Sequence, residues 1–210
     1  TSRSSPAPPL NVAGTETLVI EDDHANDIST APLASVGVHV PERTVHIRSF
    51  SKSHGPDLRL AAIGGAGDVV LAVANRRRLG PGWSSRILQA LLVELLADPT
   101  TAATLRHATA TYTHRRAVVA GELARRGVTT VGSDGINLWV GVDDERTALV
   151  RLAARGISAA PGQPFQVRDD ADFLRVTVGL ITGDDERLVA VAGIIADAAL
   201  TAARPTNTYR

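Results

Sequence analysis

The stretch Ser49-Phe50-Ser51-Lys52-Ser53-His54-Gly55-Pro56-Asp57-Leu58-Arg59 constrains this chain more than any other. It follows an alternating run, Thr44-Val45-His46-Ile47-Arg48, whose pattern predicts a strand. Hydroxyls flank a single lysine, a Gly-Pro turn follows, and an arginine stands seven residues past the lysine. Phosphate recognition needs small hydroxyl donors, free backbone N–H groups and a fixed cation. A reactive amine needs a lysine beside other positive charge or in an apolar pocket, where its neutral form is within reach. One loop supplies the materials for both. A polar loop around one solvated lysine has the same pattern, but Lys52 is the only lysine among 22 basic residues.

Upstream, Thr17-Leu18-Val19-Ile20-Glu21-Asp22-Asp23-His24 predicts a short buried strand, parallel in type, that ends in acids. Ligand groups in open α/β sheets gather at the carboxyl ends of strands. An acid there suits a protonated ligand group, and equally suits a solvated strand end. Neighbouring strand residues point to opposite faces, so pattern alone does not choose between Asp22 and Asp23.

Together the two segments resemble the pyridoxal-phosphate-dependent enzymes of fold type I, the aminotransferase class I/II family. The resemblance implies an α/β class: a partial large domain with a mostly parallel sheet, followed by a small α+β C-terminal domain. It implies pyridoxal 5'-phosphate as cofactor, with Lys52 as the catalytic Schiff-base lysine. Asp22 becomes the partner of the ring nitrogen, and His24 stands where a tyrosine often meets the ring oxygen. Ser49, Ser51 and Arg59 become phosphate ligands. Asp57 replaces the glycine usual in the turn before the arginine. "Ile-Glu-Asp-Asp-His" and "Ser-Lys-Ser-His-Gly-Pro-Asp-Leu-Arg" look closest to the aminotransferase-like domains of MocR-type regulators in the GntR group, which sense cofactor or effector without needing to turn over. The ring-stacking loop and Asn-Pro-x-Gly segment of the family are not visible, so the resemblance covers its C-terminal portion.

The rest of the chain fits that outline. Residues 1–15, rich in Ser, Pro and Gly, predict a lead-in loop. The part of the large domain present is placed at 16–110 and the small domain at 111–210. Arg59–Gly65 predicts another strand. Asp68 is the expected cap of a helix to about Arg78, and Ser84 of one to about Ala97 with Ile87, Leu88, Leu91, Leu92, Leu95 and Leu96 buried. A long helix is expected over about 100–127, closed at Gly127. Short strands at 128–131, 136–140, 157–160 and 173–178 alternate with helices over 143–155 and from Asp184 to about Ala202. In Phe173-Leu174-Arg175-Val176-Thr177 an arginine interrupts an apolar strand. It reads as a surface position or as a bidentate fork for a carboxylate. The family context implies the fork, for the α-carboxylate of an amino-acid substrate or effector, and Asn137 is a weaker candidate for the same site.

Composition closes several doors. Net charge is zero, which gives no support for a nucleic-acid-binding face in this chain. There is no cysteine, hence no disulfide or thiolate metal site. No P-loop, no His-Glu-x-x-His and no Gly-x-Ser-x-Gly occurs, and the six histidines do not fall at metal-ligand spacing. No apolar run suggests a membrane span, so a cytoplasmic protein is the expectation, and the family implies a homodimer. Enzyme, regulator domain and inactive remnant all remain open on these grounds.

Overall fold

The computed structural model describes residues 15–32, 34–167 and 171–200. The lead-in predicted for 1–15 lies outside them apart from Thr15, as do positions 201 and 202 of the predicted C-terminal helix. The contacts divide the chain into two units. One runs to Asp27 and resumes over Pro32–Ala102, and the other takes Ile28–Ala31 and everything from Ala103.

The first unit is built on a three-stranded sheet in the order β1-β2-β3, with β1 at Val19–Asp23, β2 at Thr44–Ser49 and β3 at Ala61–Gly65. β1 and β2 are parallel, joined by three short helical turns over Asn26–Arg43. β3 returns antiparallel to β2 after the short lysine loop. Helix α1 spans Gly67–Arg78 and α2 spans Arg86–Ala97. Phe50, Leu58 and Leu92 form the buried cluster here, with Leu60, Leu88 and Leu95 against it.

Three local expectations change. Asp68 does not cap α1: the cap position is Ala66, without a side-chain bond, and Asp68 lies in the first turn, where its charge favours the helix dipole. The cap of α2 is Ser85, not Ser84: its hydroxyl accepts from the Leu88 amide. The apolar runs are also less covered than their pattern implies. Ile20 on β1 is 62% exposed and Ile87 on α2 is 80% exposed. The reason is geometric. Nothing among the described residues covers the face of β1 that carries Ile20 or the outer side of α2.

Helix α3, Pro99–Arg125, opens at Asp98, whose carboxylate accepts from the amides of Thr100 and Thr101. It closes where Val128 N–H reaches Leu123 O and Gly127 N–H reaches Ala124 O. The boundary between units falls in its first turn.

The second unit is an antiparallel sheet in the order β4-β5-β7-β6, with β4 at Thr130–Val131, β5 at Asn137–Gly141, β6 at Ala160–Pro161 and β7 at Phe173–Thr177. Helices α4, Glu145–Ala154, and α5, Asp185–Ala199, start at the side-chain caps Asp144 and Asp184. Strand alternation sends Leu138, Val140, Leu174 and Val176 inward, into one core with Val119, Leu123, Leu152, Leu188 and Ile195. The same alternation leaves Asn137, Trp139, Arg175 and Thr177 together on the other face.

Candidate functional site

The parallel pairing of β1 with β2 sets the geometry of the first unit's polar groups. Asp22 lies opposite Ile47 and Asp23 opposite Arg48. Both strands therefore end at the same edge, and the lysine loop leaves β2 where the acids leave β1. Paired residues of neighbouring strands share a face, so Ile20, Asp22, Ile47 and Ser49 point one way and Glu21, Asp23, His46 and Arg48 the other.

The two acids differ in occupation. On one face His46 lies between Glu21 and Asp23, with Nδ1 at 3.2 Å from Glu21 Oε2 and Nε2 at 3.4 Å from Asp23 Oδ2. Asp23 Oδ1 also accepts from the Asn26 amide at 3.0 Å. Glu21 further accepts from Ser35 Oγ at 2.8 Å and the Val36 amide at 2.5 Å. Burial raises the Glu21 carboxyl, but hydrogen bonds from Ser35, His46 and Val36 outweigh it and hold the group below its ordinary range. Arg48 pairs with Asp27 and lies 5.8 Å from the Phe50 ring centroid. On the other face Asp22 is exposed and makes no hydrogen bond or ion pair among the described residues. His24, one residue past β1, is exposed as well.

The lysine loop is held at both ends. Phe50 and Leu58 are buried beside Leu92, and the Phe50 amide donates to Leu60 O at 3.1 Å, extending the β2–β3 ladder. Inside the loop, His54 N–H reaches Phe50 O at 2.9 Å, the His54 ring packs edge-on to Phe50, and His54 Nδ1 lies 2.8 Å from Ser53 Oγ. Ser51 N–H donates to Ser49 Oγ at 3.3 Å. Lys52 is exposed at the tip, away from any ion pair among the described residues. Arg59 has φ +50°, the only non-glycine residue with positive φ among those described. Such a conformation costs on the order of 1–3 kcal/mol and persists where neighbours enforce it. Here Leu58 is buried and Leu60 half-buried, so the chain turns left-handed between two anchored leucines and leaves Arg59 exposed.

Asp22, His24, Ser49, Ser51, Lys52 and Arg59 thus all belong to the first unit, on β1, on β2 and on the loop between β2 and β3. Arg175 and Asn137 belong to the second unit and share one face of its sheet. Asn137 Oδ1 accepts from Thr177 Oγ1 at 2.9 Å, which fixes the amide. The Arg175 guanidinium lies 4.4 Å from the Phe165 ring centroid, and Phe165 packs edge-on to Trp139 at 5.9 Å. Trp139, Phe165 and Thr177 were not singled out from sequence as neighbours of Arg175. The signal for Trp139 was present, since alternation from Asn137 places it on the same face.

This donor set suits pyridoxal phosphate chemically. It holds one amine, one unengaged carboxylate at the end of the neighbouring strand, two serine hydroxyls and an arginine fixed by its backbone.

An α/β unit with a strand-end acid and a lysine loop, followed by an α+β unit carrying an arginine on its open sheet face, is a partial transferase fold of the pyridoxal-phosphate-dependent type I class. The model of the family "Aminotransferase class I and II" matches residues 16–191, and the chain belongs to that family. Its curated relatives include the vitamin B6 salvage pathway transcriptional repressor PtsJ of Salmonella typhimurium, 32% identical over 178 residues, covering 83% of this chain and 41% of that protein. Another is the HTH-type transcriptional regulator TauR of Rhodobacter capsulatus, 31% identical over 180 residues, covering 78% of this chain and 36% of that protein. The chain therefore spans about two-fifths of the length of these regulators, and its aminotransferase-like domain is related to the MocR type. Among solved structures, an aspartate aminotransferase mutant of Thermus thermophilus superposes with TM-score 0.76 at 19% identity, over 89% of this chain and 52% of that one. A kynurenine aminotransferase of Pyrococcus horikoshii gives 0.74 at 17%, over 87% and 47%. These likenesses establish the fold. No helix among the described residues is long and apolar enough to cross a membrane.

Proposed function

We propose that this chain binds pyridoxal 5'-phosphate through the first unit and an amino acid, or an effector with its carboxylate, through Arg175 of the second. The observation that carries the reading is the parallel β1–β2 pairing, which brings an unengaged Asp22 and the loop of Lys52 to one edge of one sheet. Asp22, rather than Asp23, is the acid for the ring nitrogen: it shares a face with Ser49, whereas Asp23 lies on the other face, its Oδ1 bonded to the Asn26 amide and its Oδ2 buried 3.4 Å from His46 Nε2 without a hydrogen-bond partner among the described residues.

When bound, the cofactor supplies an electron sink for charge developing at the Cα of an amino acid. The chain's residues do the rest. Lys52 would hold the cofactor through its Nζ and would take or return the proton at the Cα of the amino acid. Asp22 holds a proton on the pyridine nitrogen. His24 donates toward the ring oxygen. Ser49, Ser51 and Arg59 bind the phosphate, with Arg59 placed by its left-handed backbone. Arg175 grips the carboxylate as a two-pronged donor, and Asn137 lines the same face.

The test is addition of pyridoxal phosphate to purified protein, followed by borohydride reduction and peptide mass spectrometry. The expected result is a visible absorbance band and a mass increment on Lys52, both lost in Lys52→Ala. Absence of both in the parent protein would defeat the reading.

A second reading has its own support. Both curated relatives above 30% identity are transcription regulators, which favours a domain that binds cofactor and effector without sustained turnover. Purified protein that acquires the band but produces no keto acid over many equivalents of amino acid supports the sensor. Steady transamination supports the enzyme. A DNA-binding partner domain and a homodimer belong to this reading as proposals.

A further inference from the structure

The second unit contains a cavity of about 470 Å³ where its sheet opens. β6 and β7 pair only through Ala160 with Arg175 and Pro161 with Leu174, so the segment before Ala160 and the segment after Arg175 part from each other. The floor of the gap is apolar. Val176 and Ile195 are buried there, and Ile157, Ile181 and Val191 pack against the same core. Its size falls within the range of small-molecule sites, roughly 300–1,000 Å³.

The charge of the lining is one-sided. Its ionisable residues are Arg175 and Arg187, with no acid. The Arg175 guanidinium lies against Phe165 on the opposite face of the sheet, which leaves Arg187 as the cation of the cavity. Thr177, also at the rim, turns its hydroxyl to Asn137 on that opposite face. The Arg187 guanidinium makes no ion pair or hydrogen bond among the described residues, and two acids beside it are engaged elsewhere. Asp184 Oδ1 accepts from the Arg187 amide at 3.0 Å as the cap of α5, and Asp185 Oδ1 lies 2.6 Å from His114 Nε2. The stem of Arg187 is held in place. It lies over Gly183, φ +115°, where an added Cβ would come 2.5 Å from Arg187 Cδ. Ser158 and Thr182 add hydroxyls to the lining.

We infer that this cavity is a second ligand site, on the sheet face away from the Arg175 guanidinium, and that it takes an aliphatic monocarboxylate, with the hydrocarbon chain on the apolar floor and the carboxylate on Arg187. The inference rests neither on the cofactor reading nor on Arg175. One guanidinium with no internal counter-charge matches one carboxylate as a planar fork. A phosphate monoester carries nearly two charges and leaves one unmatched. A free amino acid brings an ammonium group, and no acid lines the cavity to receive it. The floor selects for chain length, since each buried methylene is worth roughly fourfold in affinity.

The experiment is titration of the full 210-residue chain, without pyridoxal phosphate, with hexanoate as the probe and butyrate, hexanol and norleucine for comparison. Calorimetry gives the affinities and amide NMR shifts give the place. Hexanoate should bind saturably, about fifteenfold tighter than butyrate for its two extra methylenes. It should bind at least about tenfold tighter than hexanol, which lacks the charge, and than norleucine, which adds the ammonium group. Its shifts should fall on the amides of Gly156–Ala159 and Ile181–Arg187. Arg187→Gln should bring hexanoate down to the level of hexanol and leave hexanol unchanged, with circular dichroism to show that the variant is folded. The ligand comparisons and the shift map use the parent chain, so they decide the case if that variant does not fold. Absence of saturable hexanoate binding overturns the inference. So does norleucine or hexanol binding as tightly, no loss in folded Arg187→Gln, or a loss in Arg175→Gln as large as in Arg187→Gln, which places the ligand on the other face. Because no cofactor is added, such a failure leaves the Lys52 labelling result standing, and the two readings fail separately.

Discussion

Replacing Asp134 with alanine should release the segment Ser29–Ala31. Asp134 sits in the turn between β4 and β5, and its carboxylate accepts from Ser29 Oγ, from Thr30 N–H at 3.0 Å, from Thr30 Oγ1 at 3.1 Å and from Ala31 N–H at 2.8 Å. That segment belongs to the second unit although the chain before Ile28 and after Ala31 belongs to the first. The turn itself is braced by the buried Arg116, which donates to Gly132 O at 3.2 Å and to Gly135 O. Bonds to a charged acceptor are worth up to ~3 kcal/mol each, but these donors are partly exposed, and water replaces the lost acceptor. Taking ~1 kcal/mol for each of the three residues gives about 3 kcal/mol for the clasp. At ~1.4 kcal/mol per decade, exchange of the Thr30 and Ala31 amides should speed up by about 100-fold at neutral pH. Asp134→Asn keeps one carbonyl acceptor and should give about half that loss in free energy. Burial raises the Asp134 carboxyl, but the bonds from Ser29, Thr30, Ala31 and Gly135 prevail and hold it well below the ordinary range. A carboxyl depressed in the folded state stabilises fully above its unfolded pKa, about 4, and that stability drains away as pH falls below it. Amide exchange read by mass spectrometry or NMR is the assay. If Thr30 and Ala31 in Asp134→Ala exchange within threefold of the parent, the clasp carries no weight and the reasoning fails.

Ser85→Ala should cost about 1 kcal/mol in the first unit's stability, the usual value of a helix cap, whereas Ser84→Ala should stay within about 0.5 kcal/mol. Urea titration of both variants separates the observed cap from the one expected by sequence. Gly65→Ala should prevent a stable first unit, because φ is +125° and an added Cβ would collide with the Thr44 carbonyl across β2; limited proteolysis cutting before Ala102 with the second unit intact is the readout, and a parent-like digestion pattern refutes it.

How much of this was legible in advance differs between elements, for physical reasons. The strands of the second unit were readable because their apolar period matches what is buried: Leu138, Val140, Leu174 and Val176 alternate and all four are core. Caps were less readable. Ser84 and Ser85 are adjacent and chemically identical, and only backbone geometry chooses between them. The burial of α2 was misread for a different reason. Ile87, Leu91 and Leu96 continue its apolar stripe, but their side of the helix is uncovered among the described residues. Asp22 and Asp23 could not be separated by pattern either. Their difference comes from strand pairing: Asp23 shares a face with His46, 3.4 Å away, while Asp22 points to the other face. The neighbours of Arg175 depend on register between β5 and β7, which sequence spacing does not supply.

The distribution of the cores makes a final prediction about where ligand binding acts. The second unit buries its helices and sheet in one cluster, while the buried cluster of the first is Phe50, Leu58 and Leu92, with Val45 and Ala66 buried elsewhere in it. Two of those three residues, Phe50 and Leu58, flank Lys52 and Arg59. If the cofactor docks on that loop as proposed, it stabilises the unit with less packing of its own. Binding to the native state alone adds RT ln(1 + [L]/Kd), about 2.7 kcal/mol at a hundredfold excess over Kd. Saturating pyridoxal phosphate should then slow exchange of amides in β2, the lysine loop and β3 by up to about 100-fold. Amides of β5, β7 and α5 should change by less than threefold. Lys52→Ala should keep a smaller effect through the phosphate contacts, and Arg59→Ala should diminish it further. Protection that rises equally in both units, or only in the second, would mean that the cofactor does not dock on the loop between Phe50 and Leu58.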